Sequence, residues 1–163
     1  MKMYSGLSRV IILSLLGGAL GSLFVAVRPA HAQVTTSTFT LQVSGTASAA
    51  VTGLPEAVTF AGPLVVTATV MSDPTRPTGV LVSIDGRGVK GTGSKTGTVY
   101  LNECEANLTR LFAATDVIKT TFAFFKDAAG SYLTSKTGLL TLNLSYDTAT
   151  LSLVNVTGSI GTL

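Results

Sequence analysis

Histidine is the most informative absence in this sequence. The only one in 163 residues is His31, tryptophan does not occur, Cys104 is the single cysteine, and charged residues make up 12%. With no imidazole beyond position 31, a Ser-His or Cys-His nucleophile and the usual zinc site are excluded, and no side chain titrates near neutrality without a strong shift. A lone cysteine forms no intramolecular disulfide in any compartment. Glu103 and Glu105 flank it. Their charge is expected to disfavour the thiolate, so Cys104 reads as a buried apolar thiol, with pairing between chains as the alternative. Glycoside cleavage needs two acids facing each other across a groove. Asp73, Asp85, Asp127 and Asp147 fall instead in turn-forming stretches that account for them. Glu103 and Glu105, even with Asn102 or Asn107, are too few ligands for a calcium site. No catalytic residue, metal site or cofactor is nominated.

The first stretch, MKMYSGLSRVIILSLLGGALGSLFVAVRPAHA, sets Lys2 and Arg9 ahead of an apolar run over 11–27 and a small-x-small site at Ala30-His31-Ala32. That is the layout of a secretory signal peptide. The run is short for roughly 30 Å of hydrocarbon, and Gly17, Gly18 and Gly21 weaken it as a permanent helix. Cleavage is expected after Ala32, leaving a leader over 1–32 and a single domain over 33–163 in an exported protein: periplasmic, on the cell surface or secreted. Arg28, just past the apolar run, blurs the orientation cue and keeps an uncleaved membrane anchor as the alternative. The Ala- and Gly-rich leader has a bacterial look, and no cysteine stands at the cleavage site to carry a lipid. Lys2, Arg9 and Arg28 account for the net charge of +3, and the other eight Lys and Arg balance eight Asp and Glu. The mature chain is neutral, which gives no ground for a nucleic-acid or anionic-membrane partner.

What is abundant is Ser and Thr, more than a quarter of the mature chain. They alternate with apolar residues. TSTFTLQVSG sets Phe39, Leu41 and Val43 against Thr38, Thr40, Gln42 and Ser44, the period of a half-buried strand. PLVVTATVM, GVLVSID, GTVYLNE, DVIKTTFAFFK, LLTLNLSYD and ATLSLVNV follow the same rule, with turn chemistry between them; in PLVVTATVM both faces are apolar enough to be partly covered. Strands arriving every ten residues or so predict an all-β fold, a single antiparallel β-sandwich or β-barrel domain. At most one short helix is expected, near 103–115, where Leu108, Leu111 and Phe112 have helical spacing, although the same residues also alternate as a strand.

Two motifs invite a chemical reading. Ser94-Lys95-Thr96-Gly97 recurs as Ser135-Lys136-Thr137-Gly138, and Lys-Thr-Gly lines the active site of serine β-lactamases. The companion Ser-x-x-Lys and Ser-x-Asn elements are missing, so both copies read as turns. Gly86-Arg87-Gly88-Val89-Lys90-Gly91 fits G-x-G-x-x-G after a strand. A dinucleotide site needs a helix opening at the third glycine, and TGSKTGTVYL cannot start one. A glycine-rich hairpin begun by Asp85-Gly86 is expected, with Arg87, Lys90 and Lys95 as a loop for an anion, a glycan or phosphate. Asn107, Asn143 and Asn155 head Asn-x-Ser/Thr triplets, which carry meaning only in a glycosylating host.

Two classes of function follow. The first is an exported non-catalytic β-domain: a structural, adhesive or assembly module of the envelope or extracellular space. Its N-terminal strand, 33–46, is suited to pairing with an edge of a second copy or another envelope protein. Over about a dozen residues QVTTSTFTLQVSG resembles the donor strands of chaperone-usher pilins, but the pilin disulfide cannot form here. The alternative is a β-barrel carrier of a small apolar ligand, with Phe112, Phe122, Phe124 and Tyr146 lining a cavity rather than filling the core.

Overall fold

The structure is a computed structural model that describes residues 31–126 and 135–161. The leader up to residue 30 and the turn expected over 127–130 lie outside the described residues. In chain order the elements are β1 (Gln33–Ala47), α1 (Ala49–Thr52), β2 (Val58–Asp73), β3 (Arg76–Asp85), β4 (Lys90–Gly93), β5 (Val99–Glu103), β6 (Glu105–Leu111), β7 (Thr115–Lys126), β8 (Lys136–Asp147) and β9 (Ser152–Gly161). The fold is all-β, as the alternation predicts.

The long strand β2 organises it. One edge pairs with β1 in an antiparallel ladder running from Gln33 opposite Ser72 to Ala47 opposite Val58. The other edge is shared: 58–61 pair with β4, and most of 65–73 pair with β3, which carries β6. The handover falls at Gly62-Pro63. Gly62 has φ 151°, a conformation few side chains tolerate, and a Cβ there would lie 2.8 Å from the Cα of Val89. From β4 the sheet continues through β5, β7 and β8 to β9, which comes back beside β1 in one parallel pairing, Gly45 opposite Ile160. Seven strands close a ring, and β3 and β6 extend from β2 as a flap.

The ring is flat enough for opposite walls to touch. Phe60 of β2 meets Phe122 and Phe124 of β7 edge-on at 5.5 and 4.9 Å. Leu64, Val66, Ala68 and Val70 of β2, Val80, Val82 and Ile84 of β3, and Leu140, Leu142 and Leu144 of β8 share one buried core. These residues recur every second position because successive side chains of a strand point to opposite faces. Each large one contributes about 1.5–3 kcal/mol on burial. The outward residues of β2, Val65, Thr67 and Thr69, are only half-buried, shielded by cross-strand neighbours rather than by a second layer.

Two expectations are corrected, the glycine-loop hairpin and the second Ser-Lys-Thr-Gly turn, and one alternative is resolved. The segment near 103–115 is strand: Ala106 and Leu108 turn inward while Asn107, Thr109 and Leu111 face out, because β6 supplies the ladder partner that β3 needs over 79–85. The one helix among the described residues is α1. The Gly86–Gly91 stretch is not a hairpin, since β3 and β4 both pair with β2 and the loop between them crosses its bend. Only the first Ser-Lys-Thr-Gly is a turn; Lys136, Thr137 and Gly138 of the second pair with Phe124, Ala123 and Phe122 inside the β7–β8 ladder. Strand β1 pairs along one edge with its own β2 and meets β9 on the other at Gly45 opposite Ile160.

Candidate functional site

The glycine loop does not gather its cations. Arg87 folds back on Asp85, donating from Nη2 at 2.7 Å, and its Nε lies 3.0 Å from Glu105. Hydrogen bonds from Arg87 hold the Asp85 carboxyl below its ordinary value. Its charge is committed to carboxylates, with Glu103 lining the same surface hollow. Lys90 lies at the start of β4 opposite Ala61, and Lys95 lies beyond it in the β4–β5 turn. The three cations therefore sit at different places along the loop and strand, and the one nearest the crossover faces acids.

Lys95 belongs to a different arrangement. Glu56 is buried, and its carboxylate accepts from the backbone N–H of Lys95 at 2.6 Å, the N–H of Thr96 at 2.8 Å and the Thr96 hydroxyl. These Thr96 hydrogen bonds hold the carboxyl below its ordinary 4.5. A carboxylate set against successive turn amides is a strong local clamp, and it explains the first Ser-Lys-Thr-Gly as structure. Sequence reasoning missed Glu56 because it lies 40 positions from Thr96.

Cys104 is 5% exposed, and burial pushes its thiol up to about 11, with the Asp85 charge adding to the effect. Glu103 and Glu105, expected to do this, point to the opposite face of the ribbon. Beside Cys104, Asn102 is buried with both ends of its amide used: Nδ2 donates to the carbonyl of Val89, and Oδ1 accepts from the Cys104 N–H at 3.0 Å. That bridge anchors the crossover loop to β5. No group of three or more His, Cys, Asp or Glu placed to hold a metal occurs among the described residues.

The four aromatics separate into two packed groups. Phe122 and Phe124 stack with Phe60, and Tyr100 meets Phe124 at 5.9 Å. Phe112 and Tyr146 form their own pair at 5.5 Å, where burial, then Asp116, pushes the Tyr146 hydroxyl up to about 12. The cavity that Phe122 lines, with Leu64, Cys104 and Ile160 among others, has a volume of about 10 Å³. That holds at most one water molecule.

The broadest feature is outside. On the outer face of β1, β2, β3 and β6 the registers align four strands into ranks: Val34, Met71, Gly79 and Leu111; Thr36, Thr69, Leu81 and Thr109; Thr38, Thr67, Ser83 and Asn107. Hydroxyls of Thr36 and Thr69 lie 3.2 Å apart and those of Thr38 and Thr67 3.0 Å apart. Asp85 and Glu105 bring the first charges, in the next rank. No helix among the described residues is long and apolar enough to cross a membrane. Comparison with family models, with curated proteins and with solved structures finds no match.

Proposed function

We propose that the protein is an exported, non-catalytic β-module that works by surface contact, as a structural or assembly element of the cell envelope or extracellular space. The observation that carries this reading is the contrast, among the described residues, between closely packed aromatics and an outer face with three uncharged ranks. The aromatic residues that a carrier needs around its ligand are engaged with one another, and the cavity beside Phe122 has room for no more than a water. The outer face offers three successive ranks with no charged side chain. Exposed apolar side chains gathered in one place, here Val34, Met71, Leu81 and Leu111, mark interaction surfaces.

Native mass spectrometry tests the reading on the chain expressed with its leader in a bacterial host and recovered from the exported fraction. Assemblies of the chain with no bound small molecule are expected. A lipid or pigment bound at one equivalent, or retention of the chain in the cytoplasm, overturns it.

A further inference from the structure

We propose that the outer face of β1, β2, β3 and β6 is a self-association surface that stacks against the same face of a second copy. This deepens the assembly reading above and rests on it. Exposed apolar side chains fall together on this face. Val34 is 66% exposed, Met71 44%, Leu81 39% and Leu111 75%. The register makes them neighbours: Val34 is opposite Met71, Met71 opposite Gly79, Gly79 opposite Leu111, and Leu81 lies two residues along β3 from Gly79. Isolated surface hydrophobics need no explanation, but four sharing one end of one face do.

The ranks beside them are cheap to cover. A hydroxyl buried without a partner costs about 1–3 kcal/mol. Thr36 with Thr69, and Thr38 with Thr67, already bond across the strands. A lid on these ranks strands neither pair, and the wider face also covers Asp85 and Glu105, whose charges are already paired with Arg87. The face is also wide enough for a dimer. Four strands about 4.8 Å apart and seven residues at about 3.3 Å each span roughly 400 Å², and β1 with β2 beyond Thr40 add about 200 Å². Two such faces give about 1,200 Å², the lower bound for a stable specific interface.

A second copy fits better than an unlike partner because the apolar rank is self-complementary. A two-fold axis along the strands lays β1 of one copy over β6 of the other, the aligned stacking usual for two sheets. Val34 then meets the other copy's Leu111, and Met71 enters the space over its Gly79, where there is no side chain. The free edge of β6 is the poorer route. Arg110 there is exposed and pairs with Asp116 at 2.7 Å, and charge on an edge strand opposes strand addition.

Sedimentation velocity of the exported protein across a concentration series tests this, with Met71→Lys and Leu111→Lys on the face and Val117→Lys, 52% exposed on the outer side of β7, as control. Far-ultraviolet circular dichroism reports whether each variant folds. The wild type and Val117→Lys are expected to form dimers, and each face variant to weaken association at least about ten-fold. A Val34→Cys, Leu111→Cys double variant is expected to be joined between copies by a short bis-maleimide able to span sheets about 10 Å apart, independently of any folding defect in the lysine variants. A wild type that stays monomeric, or dimers untouched by both lysines, overturns the stacking. In the latter case assembly survives through another surface, whereas a bound small molecule in the native spectrum removes the assembly reading itself.

Discussion

Replacing Gly45 by alanine attacks the closure of the ring at its narrowest point. A Cβ added at Gly45 lies 2.5 Å from the carbonyl carbon of Ile160, 2.9 Å from its Cα and closer still to its oxygen. All three are backbone atoms, so no rotamer change relieves the clash, and β9 must recede by an ångström or more. Forced overpacking of this kind costs about 1–3 kcal/mol. The retreat also opens the seam, where Leu41 and Val43 of β1 pack close above Gly158 and where Val156 and Ile160 are 8% and 7% exposed. Losing part of that burial, at about 25 cal/mol per Å², brings the total to roughly 3 kcal/mol. For a domain of this size that lowers Tm by about 10 °C. The assay is calorimetry of the protein beside Gly161→Ala, a control with nothing within 4 Å of the added methyl and an expected change below about 0.5 kcal/mol. A Gly45→Ala variant as stable as wild type refutes the closure described here.

Other perturbations follow from the same packing. Phe60→Ala removes the hub of the aromatic cluster, a fully buried ring in contact with Phe122 and Phe124, and should cost about 3–5 kcal/mol in urea unfolding. Hydrogen bonds hold the carboxyls of Glu56, Asp73, Asp85 and Asp147 below their ordinary values. A depressed folded value stabilises at pH above the unfolded value and is lost as pH falls through the folded one, so the unfolding midpoint is expected to be level near neutrality and to drop below about pH 4.5. Glu56→Gln should flatten part of that drop; an unchanged pH profile would mean the turn clamp contributes nothing. Cys104, with its thiol at about 11, should react with iodoacetamide at pH 8 far more slowly in the native protein than in denaturant, and equal rates would contradict its burial.

Much of this architecture can be read from period alone. Leu140, Leu142, Leu144 and Tyr146 alternate with Thr141, Asn143 and Ser145, and the structure buries the first set and leaves the second half-buried or exposed. Period says which face turns inward but not which neighbour a strand takes. Nothing in 33–46 distinguishes a strand paired with β2 of its own chain from one offered to another. The two Ser-Lys-Thr-Gly copies make the same point. One becomes a turn because Glu56 binds its amides, and the other a strand because β7 lies beside it. The outer face was legible in pieces, as Thr36, Thr38 and Thr40 on one segment and Thr67 and Thr69 on another. Their meeting depends on the β1–β2 register, which is a long-range property. Arg87 was misleading for an electrostatic reason: Glu105, which neutralises it, lies in a stretch separated from it by β4 and β5.

The parallel meeting of β1 and β9 has a mechanical meaning. Both strands run the same way along the seam, so Gln33 and Gly161 fall at opposite ends, roughly 40 Å apart at about 3.3 Å per residue. Tension between these two points pulls lengthwise, and the long β1–β2 ladder has to slip all its rungs together instead of unzipping one at a time. Resistance to pulling between these two points is then set by the direction of force more than by thermal stability.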